Sequence, residues 1–134
     1  NDEALVLSVA QHILEADRRD PQFRRVLLQA ALTGHPLRKI TAQRLLPLHR
    51  FLRNYITKRQ KRGAFLDCDP ELAVHAIVSM PRYYGLAKIL YGMDNLAISE
   101  DRMATGFARI ILDGLHGGSG ASSKSRRIGR RKAK

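Results

Sequence analysis

One cysteine, Cys68, occurs in 134 residues, so an internal disulfide is excluded and the chain fits a reducing, cytoplasmic setting. No apolar run is long enough to span a membrane, and the acidic opening Asn1-Asp2-Glu3 is not a secretory leader. The absent initiator Met is expected of a fragment or a processed chain. Acid is missing over two long stretches, Pro21 to Leu66 and His116 to Lys134. The net charge is therefore +12 and unevenly placed: Lys124, Arg126, Arg127, Arg130, Arg131, Lys132 and Lys134 alone supply more than half of the excess. There is no H-E-x-x-H or H-x-x-x-H pair, no C-x-x-C, and no glycine loop between a strand and a helix to cradle phosphate. No catalytic constellation stands out, and the chain is expected to be neither an enzyme nor a carrier of a metal or cofactor.

What is present is a chain of helices. At 44 %, apolar residues suffice for one core. Leu5, Val6, Val9, Ala10, Ile13 and Leu14 recur at helical spacing over about Asp2 to Asp17. Asp20-Pro21 supplies an N-cap and a first-turn proline for a second helix ending near Thr33, before Gly34-His35-Pro36. A third runs from about Leu37 to Arg62, with Pro47 expected to kink or split it.

The stretch Lys61 to Ala73, KRGAFLDCDPELA, is a stop followed by a start. Gly63 suits the left-handed position that ends a helix, and Ala64-Phe65-Leu66 is expected to tuck under the turn. Asp69 is an N-cap and Pro70 opens a fourth helix reaching Tyr91. That helix is apolar on two sides: Leu72, Ala76, Tyr83, Ala87 and Leu90 form one stripe, while Val74, Val78 and Ile89 lie nearly opposite, so it is expected to be covered twice. Ser99 caps a fifth helix to Leu115, whose apolar arc covers about half its wheel. Ala104 and Ala108 in that arc admit a closely packed partner helix. Residues 1–115 thus read as one all-α domain and 116–134, rich in Gly, Ser, Arg and Lys, as a disordered basic tail.

The basic end of the third helix, the joint, the Asp-Pro-Glu-Leu-Ala start (69–73) and the last helix ISEDRMATGFARIILDGL (98–115) together resemble the C-terminal regulatory domain of TetR-family transcription regulators. The resemblance spans about Asp2 to Leu115. It implies that the last two helices form a dimeric four-helix bundle and that a small molecule binds among the earlier ones. DNA would be read by an N-terminal helix-turn-helix, which no segment here supplies.

Candidate ligand-binding residues are Phe51, Tyr55, Met80, Tyr83, Tyr84 and His12, placed around Pro47 and Pro81 where close helix packing is interrupted. The expected cavity is largely apolar and lies between the third and fourth helices near Tyr55 and Met80. Arg44 falls within the third helix's apolar arc, where snorkelling to solvent is expected and contact with an anionic ligand is the alternative. Candidate dimer-interface residues are Val78, Arg82, Ile89, Ala104, Ala108, Ile111, Leu112 and Leu115. The tail residues Lys124, Arg126, Arg127, Arg130, Arg131 and Lys132 are candidates for nonspecific phosphate contact. The rival reading is a small helical nucleic-acid-binding protein acting through its basic surface and tail.

Overall fold

The chain is all-helical in the computed structural model, which describes residues 1–93 and 98–117. Five helices follow in order: α1 (Asp2–Arg19), α2 (Pro21–Leu32), α3 (Arg38–Lys61), α4 (Pro70–Tyr91) and α5 (Glu100–Leu115). No described helix is long and apolar enough to cross a membrane. The tail candidates Lys124, Arg126, Arg127, Arg130, Arg131 and Lys132 lie outside the described residues.

The polar residues at the helix ends act as caps. Asp20 Oδ1 accepts from Phe23 N at 2.8 Å, Asp69 Oδ1 accepts from Glu71 N at 2.9 Å, and Ser99 Oγ accepts from Arg102 N at 3.4 Å. Each satisfies an amide that the first turn leaves without a helical partner. α1 runs two residues beyond its expected end, because Arg18 and Arg19 suit the negative end of the helix dipole and the turn comes only at Asp20, with φ −145°. α3 is one helix through Pro47, although proline forfeits the bond to the Gln43 carbonyl.

The joint is anchored rather than loose. Gly63 takes φ +69°, a backbone that L side chains rarely adopt. Gln60 Nε2 donates to the carbonyls of Leu66 and Cys68 at 3.1 and 2.8 Å, and Leu66 N donates to Leu115 O at 2.7 Å, tying the joint to the end of α5. Phe65 is buried beneath it, but Leu66 is exposed instead of tucked, its backbone being held facing α5.

α1 is the central element, packing along both α4 and α5. Its Val6, Val9 and Ile13 meet Leu52 and Ile56 of α3, Val74, Ile77 and Val78 of α4, and Ile111, Leu112 and Leu115 of α5. Burying each such branched side chain contributes about 1.5–3 kcal/mol. A second cluster joins Ala10, Leu14, Tyr84 and Ala104. α2 and the N-terminal half of α3 stand largely apart from this core, which only Leu48 of that half packs against. Only Leu27 and Ala30 are buried in α2, and no α3 residue before Leu52 is.

Candidate functional site

Where α2 and the first half of α3 stand off from α1, the structure leaves a partly open cavity of about 300 Å³. Three helical faces wall it: His12, Ile13 and Ala16 from α1; Phe23, Arg24 and Leu27 from α2; and Thr41, Arg44, Leu45 and Leu48 from α3. The α3 positions recur at three- and four-residue intervals, so they share one face, and that face straddles Pro47. Arg82 reaches in from α4.

Arg24 and Arg82, which line this cavity, are bonded in a charge cluster to Asp17, a buried carboxylate that lines the neighbouring cleft rather than the cavity itself. Asp17 is only 5 % exposed. One of its oxygens, Oδ1, serves two guanidiniums: Arg24 Nη2 at 2.6 Å and Arg82 Nη1 at 3.0 Å. Its other oxygen, Oδ2, is buried without a hydrogen-bond partner in the described structure. Burial pushes the Asp17 carboxyl above its ordinary range, against the pull of Arg82 and Arg24. Burial likewise lowers Arg82, which gains from Asp17 but is repelled by Arg24. With two guanidiniums on one oxygen, the cluster holds more positive than negative charge. The Thr41 hydroxyl, on the cavity's α3 wall, is also buried without a partner.

Of the six candidate ligand residues, His12 alone lines this cavity. Between α3 and α4, Tyr55 and Met80 both pack against a core in which Leu52, Ile56 and Val74 have no exposure. The open space beside Tyr55 is instead a wide polar cleft of about 890 Å³ between the start of α1 and the ends of α3 and α5. Phe51 and Tyr83 point largely into solvent, and Tyr84 is buried in the second cluster, its ring edge-on to Phe107 and beneath Lys88 Nζ at 4.7 Å. The Tyr55 hydroxyl instead donates to Asp2, which also takes Arg59 Nη2 at 2.6 Å and faces His116 at 3.5 Å. This cluster stitches the start of α1 to the ends of α3 and α5. The displaced expectation has a simple cause: the prolines open no gap where they were expected to, since α3 runs unbroken through Pro47 and Pro81 is itself fully buried. The cavity arises from the stand-off of α2. Arg44, expected to snorkel, is exposed yet lines the cavity and has no ion-pair partner among the described residues.

The candidate interface residues are also relocated. Val78, Ala104, Ala108, Ile111, Leu112 and Leu115 are each at most 8 % exposed within the single chain. The small residues of α5 do admit a close partner, but it belongs to the same chain: Ala104 clusters with Ala10 and Leu14 of α1. Arg82 is held by Asp17, and Ile89 is half-buried beside the charged cleft of Arg18, Arg25 and Lys88. What α4 leaves uncovered is the large side chains of its other stripe: Leu72, Tyr83 and Leu90 are 66 %, 68 % and 54 % exposed, while Ala87 of the same stripe is buried. On α5, Ile110 is exposed between Gly106 and Gly114, one turn away on either side.

No protein-family model, curated protein or solved structure matches this chain.

Proposed function

We propose that the chain is the ligand-sensing and dimerising regulatory domain of a TetR-like transcription repressor, working in the cytoplasm. A small effector occupies the cavity between α1, α2 and α3. A second copy covers the exposed stripe of α4, and DNA is read by a helix-turn-helix outside these residues. The observation that supports this reading is that α4 presents two different faces, one to the cavity and one to solvent. Arg82 reaches the cavity, while Leu72, Tyr83 and Leu90 stand exposed roughly a quarter-turn around the same helix. A helix that touches both a ligand and a partner can convert occupancy into a change of subunit arrangement, because its two contacts share one rigid body.

The sizes agree with this role. A cavity of about 300 Å³ is at the small end of the range that holds organic ligands. Its walls are mainly apolar, with a few convergent polar groups to fix orientation. The test is a thermal-denaturation screen of small metabolites against the wild type and Leu45→Trp, which fills the cavity from α3. The reading expects compounds that raise the wild-type midpoint by several degrees and leave the filled variant unmoved. Equal shifts in both proteins, or none in either, would remove the cavity's sensing role.

A further inference from the structure

The cavity's charge goes beyond the general reading on which this inference rests. Three guanidiniums, Arg24, Arg44 and Arg82, line it. Two carboxylates lie near them, Asp20 in the cavity lining and Asp17 bonded to Arg24 and Arg82 from outside it, so the three guanidiniums exceed them by one charge. Asp17 spends one oxygen on Arg24 and Arg82 together, and its other oxygen does not serve them. Asp20 is engaged in capping α2. Arg44 has no ion-pair partner among the described residues. Each guanidinium carries five donors in a planar fork, so donors remain unused on the α2, α4 and α3 walls. Beside them the Thr41 hydroxyl is buried with nothing to bond.

We propose that the ligand of this cavity is a small organic anion: a carboxylate-type head met by the Arg24, Arg82 and Arg44 guanidiniums and the Thr41 hydroxyl, and an apolar body laid against Ile13, Leu27, Leu45 and Leu48. A neutral apolar ligand would fill the same space but would strip water from the guanidiniums without replacing its hydrogen bonds. A cation would meet a surplus of its own sign. An anion completes the charge balance, and its hydrogen bonds are strengthened by the low-dielectric walls. The cavity is only about 300 Å³, which restricts the body to roughly the length of a medium-chain acid or a fused two-ring aromatic. The anion also has a structural consequence. It competes with Asp17 for Arg82, so its arrival loosens a contact between α1 and α4 and reaches the helix that carries the exposed stripe.

The experiment is calorimetric titration, at neutral pH, of two matched series: octanoate, octanol and octylamine; and 1-naphthoate, 1-naphthol and 1-naphthylmethylamine. In at least one series the carboxylate is expected to bind wild type ten-fold or more tightly than the alcohol, with the amine weakest. Arg44→Gln should erase most of that advantage, and Arg44→Glu should turn the preference toward the amine. Arg44 is exposed, so the thermal midpoint of the unliganded variants should match wild type, separating lost recognition from lost fold. If the alcohol equals or exceeds the carboxylate, or Arg44→Gln retains the full preference, the anion inference is overturned while the cavity still senses small molecules. If no member of either series binds, both the anion inference and the sensing role of the cavity fail.

Discussion

Asp17 on α1 lies directly against Gly85 on α4: a β-carbon placed on Gly85 would stand 2.9 Å from the Asp17 carboxylate carbon. Arg82, one turn earlier on α4, donates to the same carboxylate at 3.0 Å. The missing side chain and the long one act together. The glycine lets the helices close, and the arginine offsets part of the charge they enclose.

Gly85→Ala therefore runs against the usual trend. In an unobstructed helix the change stabilises by about 1 kcal/mol. Here the β-carbon must displace a carboxylate held by two guanidiniums, and a net loss of about 1–3 kcal/mol is expected. Urea denaturation checks it. The loss should shrink in an Asp17→Ala background, where the obstruction is gone, and an undiminished loss would show that something else sets the α1–α4 spacing.

Asp17→Asn keeps the shape but leaves Arg24 and Arg82 without a counter-charge. Removing one partner of a buried ion pair costs about 3–5 kcal/mol, and a value near the lower end is expected because both guanidiniums retain some contact with solvent. The change should also tighten binding of a carboxylate in the cavity, since its competitor for Arg82 has gone. Calorimetry and chemical denaturation on one preparation would show the two effects moving in opposite directions.

The Asp2 cluster sets an acid-side dependence. Burial alone would raise the Asp2 carboxyl, but hydrogen bonds from Tyr55, Arg59 and His116 together hold it below its ordinary value of 3.8. A carboxyl lowered in the folded state favours folding above its unfolded value and loses that contribution as pH falls through the folded one. Stability should thus decline below about pH 3.8 partly through this group. Asp2→Asn should lower stability at neutral pH and flatten that part of the acid limb. An acid limb identical to wild type would remove Asp2 from the account.

Much of the fold is legible in the sequence because helix ends are written in short-range chemistry. Asp20-Pro21, Gly63, Asp69-Pro70 and Ser99 mark their boundaries through contacts two or three residues away. The site is less legible because it depends on which faces meet. The wheel of α4 shows two apolar sides but not which one the chain itself covers. Its Val74 and Val78 are buried against α1 and α5, and its Leu72 and Tyr83 are not. Ala104 and Ala108 signal close packing without naming the partner, which is α1. Asp17 and Arg82 are 65 residues apart, and neither sits in a recognisable motif. The one available signal was an acidic residue, Asp17, on the same side of α1 as Ile13 and Leu14.

That division gives a sharper test of dimerisation. Leu72→Lys and Tyr83→Lys alter side chains exposed in the single chain, so each should yield folded monomers with an unchanged helical spectrum. Ala108→Arg places an unpaired charge in the chain's own core and should unfold the protein outright. Sedimentation velocity with circular dichroism distinguishes the two classes. A Tyr83→Lys protein that remains dimeric would move the interface away from the α4 stripe.

Native mass spectrometry of the purified chain, wild type beside Leu45→Trp, tests the central claim most directly because it reads assembly and occupancy together. The account predicts a dimer whose subunits each take up one small anion added from a metabolite mixture, with uptake lost in Leu45→Trp while the dimer persists. A monomer that takes up no small molecule, or the same uptake by wild type and Leu45→Trp, would contradict it.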